Sequence, residues 1–413
     1  MSAVVAIIGT CDTKLEELTF LRHQIAAAPG NVKTLLIDVG RHRCPSSEVN
    51  VHGADMLSRY RPGLDMATLS RGDFIDAMST CAAQAVHDMY CQGEIDGIVS
   101  AGGSGGTALS SRVMRNLPVG LPKLIVSTIA SGDTGPIVGG SDITLMYSVV
   151  DVAGLNHLLR DILSNAGAAI AAAAMSYSAR KSRRSGQTPT SKRIGITMFG
   201  VTTPGVDRIR QILNHRYHAE TYVFHATGHG GRAMERLIAD GQLDGVIDLT
   251  TTEICDYIMG GTMSAGEERL DAAVEAAMPT IISLGALDMA NFGPKDSVPE
   301  RYSHRTQVEH NPIVTVVRTS PHDAEAIGLF ICQKLKRATN PALIQVWLPL
   351  GGVSMLSVPG GPFYDAEADA ALFDSIREGL QGTGIRVMED AGSVNDEAFA
   401  TRIAEAMAEL LNL

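Results

Sequence analysis

The chain has 413 residues, of which 45% are hydrophobic and 19% charged, with a formal net charge of −11. That length suggests two or three domains, and that composition supports a packed core and excludes global disorder. The negative charge argues against a surface that wraps nucleic acid, which needs clustered Lys and Arg. It leaves room for a small anionic ligand, because a few local groups set the field at a site.

The six cysteines, Cys11, Cys44, Cys81, Cys91, Cys255 and Cys332, are scattered and form no CxxC pair. They read as reduced thiols of a cytoplasmic protein. Residues 3–8 form an apolar run with no basic segment before it, which reads as a first strand and not a signal peptide. Residues 166–175 are too short and too alanine-rich for a membrane span. No membrane or nucleic-acid partner is expected.

In chain order, the strand at 3–8 is followed by Gly9-Thr10-Cys11-Asp12-Thr13-Lys14 and a helical pattern through Leu15, Leu18, Leu21 and Ile25. A second strand at 34–38 ends in Asp38. Residues 41–71 read as a polar insertion with a short helix. A helix at 74–91 leads to a strand at 95–100. The glycine run Gly102-Gly103-Ser104-Gly105-Gly106-Thr107 comes next and opens another helix. A strand at 122–127 precedes Ser127-Thr128-Ile129-Ala130-Ser131-Gly132-Asp133, and residues 143–150 are a candidate last strand. Strands alternating with helices predict a parallel sheet covered on both faces.

Residues 155–179 read as one long alanine-rich helix suited to close packing against a domain or a second copy. A basic, Ser- and Pro-containing stretch then reads as a linker. The strand–loop–helix rhythm resumes at 193–199, with further strands expected near 221–224, 245–249, 280–284, 314–318, 343–348 and 385–388. The expected division is 1–180 for a first Rossmann-like domain, 181–191 for the linker and 192–413 for a second. The halves echo each other: GEIDGIV at 93–99 matches GQLDGVI at 241–247, in the same order as other short matches. The fold expected is α/β, two tandem Rossmann-like domains with mainly parallel sheets and a cleft between them.

Ligands of open parallel sheets sit beyond the carboxyl ends of the strands. In the first half, glycines let the backbone approach a ligand, and the amides at a helix start attract anions. The expected nucleotide site is Gly9, Thr10, Asp12, Thr13 and Lys14, with Gly102, Gly103, Ser104, Gly105, Gly106, Thr107, Ser127, Thr128 and Ser131. Lys14 would be a counter-charge and Asp38 a ribose ligand. Asp12 and Asp133 are candidates for Mg²⁺, with helix or turn capping as the alternative. Neither a Walker motif nor a GxGxxG after the first strand occurs. In the second half, His225, Glu253 and Asp288 are candidates for proton transfer, and Arg318 for a carboxylate clamp.

The stretches GTCDTKLEEL, AGGSGGTAL, STIASGDTGPIVGGSDI, MFGVTTPGV, VFHATGHGGRAME, DLTTTEICDYIMGG and LGALDMANFGP resemble the Tm-1-like ATP-binding family. That family includes the N-terminal region of the tomato mosaic virus resistance protein and uncharacterised bacterial two-domain members. The resemblance covers nearly the whole chain. It implies two Rossmann-like subdomains, ATP bound in the first, and self-association as a homo-oligomer. This sequence continues into no further domain after the second, which makes an antiviral role improbable. Three functions are compatible with these residues: an ATP-binding enzyme acting on a small anionic metabolite, a non-catalytic ATP-binding or interaction module, and a nucleotide-independent lyase or hydrolase acting on a sugar acid.

Overall fold

A computed structural model describes residues 2–184 and 191–413. The chain divides into two compact units, Met1–Thr188 and Pro189–Leu413. Most of the stretch expected as a linker, residues 185–190, lies outside the described residues.

The first unit runs β1 (Val4–Gly9), α1 (Cys11–Ala27), β2 (Lys33–Asp38), α2 (Gly53–Tyr60), α3 (Arg71–Cys91), β3 (Gly97–Gly102), α4 (Ser104–Arg115), β4 (Lys123–Ser127), α5 (Gly135–Val138), β5 (Thr144–Tyr147) and α6 (His157–Arg184). Its five strands lie in the order β2-β1-β3-β4-β5, with every neighbouring pair parallel. β1 and β3, and β4 after Lys123, are continuous apolar or small-residue runs because both faces are covered. Val5, Ile7, Val99 and Val126 face α1 and α6, while Ala6, Ile8, Ile98 and Ile125 face α3 and α4. Helix α6 has 28 residues and is apolar enough, by length and composition alone, to cross a bilayer. Leu159, Leu163, Ala166, Ile170, Ala171 and Ala174 are the face it buries in this unit's core.

The second unit runs β6 (Arg193–Met198), α7 (Thr203–Arg216), β7 (Glu220–His225), α8 (His229–Ala239), β8 (Gly245–Thr250), α9 (Thr252–Met259), α10 (Asp271–Glu275), β9 (Thr280–Gly285), β10 (Met289–Phe292), β11 (Gln307–Asn311), β12 (Val314–Arg318), α11 (Pro321–Leu335), β13 (Ile344–Pro349), α12 (Ala366–Gly379), β14 (Arg386–Asp390) and α13 (Glu397–Leu411). Its main sheet is parallel, in the order β14-β13-β9-β8-β6-β7.

The protein is thus α/β, with two mainly parallel Rossmann-like sheets. One element departs from the expected pattern. β10, β12 and β11 form a separate antiparallel sheet. β10 and β11 are not among the strands expected from the sequence, and Asp288 directly precedes β10. Met289, Val316 and Phe363 hold this small sheet down as a satellite core.

Candidate functional site

In a sheet ordered 2-1-3-4-5, the connections from the first and third strands leave on opposite faces, and a crevice opens between their carboxyl ends. In the first unit that point lies between β1 and β3. A cavity of about 590 Å³ occupies it. From the β1 side it is lined by Thr10, Asp12, Thr13 and Lys14, and from the β3 side by Gly102, Gly103, Ser104, Gly105 and Gly106. Gly103 is the N-cap of α4 and has no side chain to cap it, so the first amides of α4 stay available to a ligand. Helix α1 is kinked at Lys14 (φ −133°, ψ 20°), at the edge of the same cavity.

The four glycines of this loop do not owe their identity to the protein around them. None has a positive φ. A Cβ on Gly102 would lie 3.6 Å from the nearest atom, on Gly103 3.8 Å and on Gly105 3.5 Å, and on Gly106 it would meet nothing within 4 Å. Gly9 differs, since a Cβ there would lie 2.6 Å from Leu18. It serves helix packing and does not line the cavity.

Five further residues reach the cavity from the long insertion and α3. Arg41 and His42 follow β2, and Arg71, Phe74 and Ile75 open α3. Ser70 caps α3 by accepting the Asp73 amide, which fixes Arg71 at the helix start. The Arg41 guanidinium stacks 5.2 Å from the Phe74 ring centroid. Among the described residues, Lys14, Arg41 and Arg71 make no ion pair. The acids on the wall are Asp12 and Asp151.

Other expected residues take structural positions. Asp38 is 1% exposed, and its carboxylate accepts the amides of Cys11 and Gly40 at 2.9 Å and of Cys44 at 3.5 Å. It anchors two turns and is not among the residues that line the cavity. Burial, with Asp38 adding to it, pushes the Cys11 thiol well up. Thr107 and Ser127 are buried and hydrogen-bond each other at 2.7 Å. Thr128 donates its amide to Gly102, bracing the loop from behind. Ser131 and Asp133 lie on an exposed turn outside the cavity lining, where Asp133 accepts the Gly135 amide. Asp12 accepts the His42 amide at 3.1 Å. Among the described residues no group of three His, Cys, Asp or Glu is arranged to hold a metal.

The four second-unit candidates fall into separate clusters. His225 ends β7, is exposed, and sets its ring edge-on to Phe199 at 5.6 Å. Glu253 is fully buried. It accepts the amides of Gly228 (2.6 Å) and Gly231 (3.0 Å) and the Arg269 Nε (2.9 Å). Arg269 in turn forks onto Asp248 at 2.6 and 2.7 Å and reaches Glu235 at 3.0 Å. Burial alone would lower the Arg269 pKa, but its three carboxylates outweigh it and raise it. Arg318 is tied to the Phe363 carbonyl (2.8 Å), Thr319 and Asp369, so it fastens β12 to the segment before α12. Asp288 is fully buried and accepts the Ser354 hydroxyl at 2.7 Å, while its Oδ1 has no partner. Burial lifts it to about 6. Glu253 and Arg318 are therefore buried and tied to groups within the protein, and His225 is the one of the four open to solvent.

The sequence reasoning missed Arg71, Phe74, Ile75 and Asp151, and left Arg41 and His42 out of the site. Arg41 immediately follows the β2 turn, which is a readable signal. Arg71 and Phe74 lie beyond an irregular stretch of some thirty residues, and no local pattern announces where that stretch returns.

Residues 3–179 match the N-terminal domain, and residues 191–411 the C-terminal domain, of uncharacterised protein family UPF0261. A UPF0261 protein of Rhizobium meliloti is 42% identical over 99% of both chains. One of Clostridium tetani is 40% identical over 100% of both. The ToMV resistance protein Tm-1(GCR237) of Solanum lycopersicum is 37% identical over 98% of this chain, which spans 55% of the tomato protein. Among solved structures, the UDP-GlcNAc 2-epimerase from Neisseria meningitidis shares 9% identity over 68% of this chain and 82% of its own, with a TM-score of 0.23. A likeness that slight carries no argument about chemistry. Two matched domains and relatives of matching length give one conclusion: the chain belongs to the UPF0261 family.

Proposed function

We propose that the first unit binds a nucleotide, ATP, with its phosphates on the loop from Gly102 to Gly106. One observation carries the reading. Four glycines line a cavity where neither backbone conformation nor protein packing requires glycine. What they preserve is an approach for something from outside the chain. Three cations without an ion pair among the described residues (Lys14, Arg41, Arg71) favour a negatively charged ligand. Resemblance to the Tm-1-like ATP-binding family narrows the nucleotide to ATP. Mg²⁺ would meet Asp12, directly or through water, since hard cations at phosphates need only one or two protein carboxylates. Asp133, outside the lining, is left as a turn cap. The test is titration calorimetry with Mg-ATP on the parent, Gly103→Val and Lys14→Ala. Both variants should bind at least about tenfold more weakly, and equal affinity in all three proteins sinks the assignment.

A second reading, a binding module without chemistry, is favoured by the internal ties of Glu253 and Arg318. An enzyme acting on a small anionic metabolite would have to rely on other groups, with His225 the accessible one in the second unit. Self-association is proposed from α6, whose outer face exposes Leu158, Ala168, Ala169 and Ala172. Sedimentation that shows a monomer at every concentration removes it.

A further inference from the structure

A second cavity, of about 650 Å³, lies beside the first and shares only Arg41 and His42 with it. Its long wall is one stripe of α2. Ala54, Leu57, Ser58 and Arg61 recur at helical spacing and so fall on one face. The facing wall is the turn Gly63, Leu64, Asp65 and Met66. Gly63 takes φ +87° there, and a Cβ on it would meet nothing within 4 Å, so the turn stands open.

The cation at the junction is held in advance. Arg41 donates through Nη2 to the carbonyls of Leu69, Ser70 (3.3 Å) and Met66 (3.5 Å). Its Nε is buried and has no partner. Among the described residues, Arg41 faces no carboxylate within ion-pair distance. Arg61 also makes no ion pair there, and the nearby Asp76 is already paired with Arg112. Two arginines against the single acid Asp65 leave one net positive charge, with His42 beside them. The rest of the lining is mostly apolar, with Ala54, Leu57, Leu64 and Met66 beside Ser58 and Gly63.

We propose that this cavity binds a small monocarboxylate with an apolar body, as a site distinct from the nucleotide's. The Arg61 guanidinium, without an ion pair among the described residues, can fork onto a carboxylate while Arg41 adds positive charge, and the acid and aliphatic walls disfavour a dianion such as a phosphate. The site goes beyond the ATP reading and does not depend on it.

The test uses the full chain and hexanoate as probe, with hexanamide as the neutral control, followed by saturation-transfer NMR. The parent should bind hexanoate saturably and leave hexanamide unbound. Arg61→Ala and Ser58→Asp, both at exposed positions at or near the end of α2, should each weaken hexanoate by about tenfold or more. Their affinity for Mg-ATP should stay at the parent's value. Hexanoate binding without any Mg-ATP binding supports the cavity and defeats the nucleotide reading alone. No hexanoate binding, equal binding of hexanamide, or equal binding by parent and variants overturns the proposal. A parallel loss of Mg-ATP affinity in Arg61→Ala also overturns it, because one ligand would then span both cavities.

Discussion

The two units repeat one topology and treat its switch point in opposite ways. In the first, the loops after β1 and β3 stand apart and leave a cavity. In the second, the equivalent loops follow β6 and β8, and Thr202 and Thr250 close them with a 2.7 Å hydrogen bond. The glycines follow suit. A Cβ on Gly205 would collide with the Val394 carbonyl, on Gly230 with His225, on Gly231 with Glu253, and on Gly285 with Leu249. Those glycines exist so that the protein can touch itself. The glycines from 102 to 106 exist with no such neighbour. A glycine-rich loop is thus ambiguous in sequence, and the space above it decides its meaning.

The hardest way to break the contrast is to attack the filled side. Replacing Arg269 with Leu leaves Asp248, Glu253 and Glu235 buried around an apolar residue. Removing one partner of such a buried cluster costs about 3–5 kcal/mol. Gly231→Ala pushes a methyl group into the same cluster and should be destabilising in the same sense. Trp347, the only tryptophan, is buried on β13, so its fluorescence reports unfolding of this unit in urea. Midpoints equal to the parent's in both variants would return Glu253 to the list of free catalytic carboxylates.

A smaller effect tests the same buried polar layer by pH. Asp256 accepts the Asn291 amide (2.9 Å), the Asn291 side chain (2.7 Å) and the Met263 amide. Burial nevertheless lifts it from 3.8 to about 7. A carboxyl raised on folding stabilises fully below its unfolded value, and that contribution is lost as pH rises through the folded one. The second unit should therefore lose urea stability between about pH 4 and pH 7. Asp256→Asn should flatten most of this fall, leaving a remnant from Asp288, which is raised in the same direction. The amide of Asn291 can turn over to suit either partner, and its Oδ1 is otherwise unpartnered. A pH profile identical to the parent's would refute the role given to Asp256.

The sheets were legible because buried parallel strands are largely apolar or small-residue runs, as at 3–8, 97–102 and 280–285, and each is followed by small or polar residues. The glycine loop after β3 was legible for the same reason. What sequence could not supply was direction. Asp38, Glu253 and Arg318 follow strands, as catalytic residues do, but strand ends also need carboxylates and guanidinium groups to tie down turns. Nothing local separates the two uses. The antiparallel strands β10 and β11 were hidden because short segments such as Met289–Phe292 carry too few residues to show a period. Arg71 and Phe74 were hidden because an insertion returns them to the site from far along the chain.

The mildest substitution gives the sharpest form of the comparison. Gly106 lies in the first turn of α4, at an ordinary helical φ, with nothing within 4 Å of a Cβ. Alanine there removes the flexibility of glycine in a helix, a gain of about 0.5–1 kcal/mol where position allows. The fold should be as stable as the parent's or slightly more so. The added methyl group points into the space assigned to the phosphates, so Mg-ATP affinity should fall by about tenfold or more. Gly200 is the matching control. It sits in the loop after β6, and a Cβ on it also meets nothing within 4 Å. Gly200→Ala should leave both stability and Mg-ATP affinity where they were, because no ligand is assigned to the closed switch point. Calorimetric titration and a thermal melt of the two variants decide the matter. Loss of binding in Gly106→Ala with an unchanged or higher melting temperature means that the glycine serves a ligand. If Gly106→Ala binds Mg-ATP as the parent does, the open loop is only an open loop.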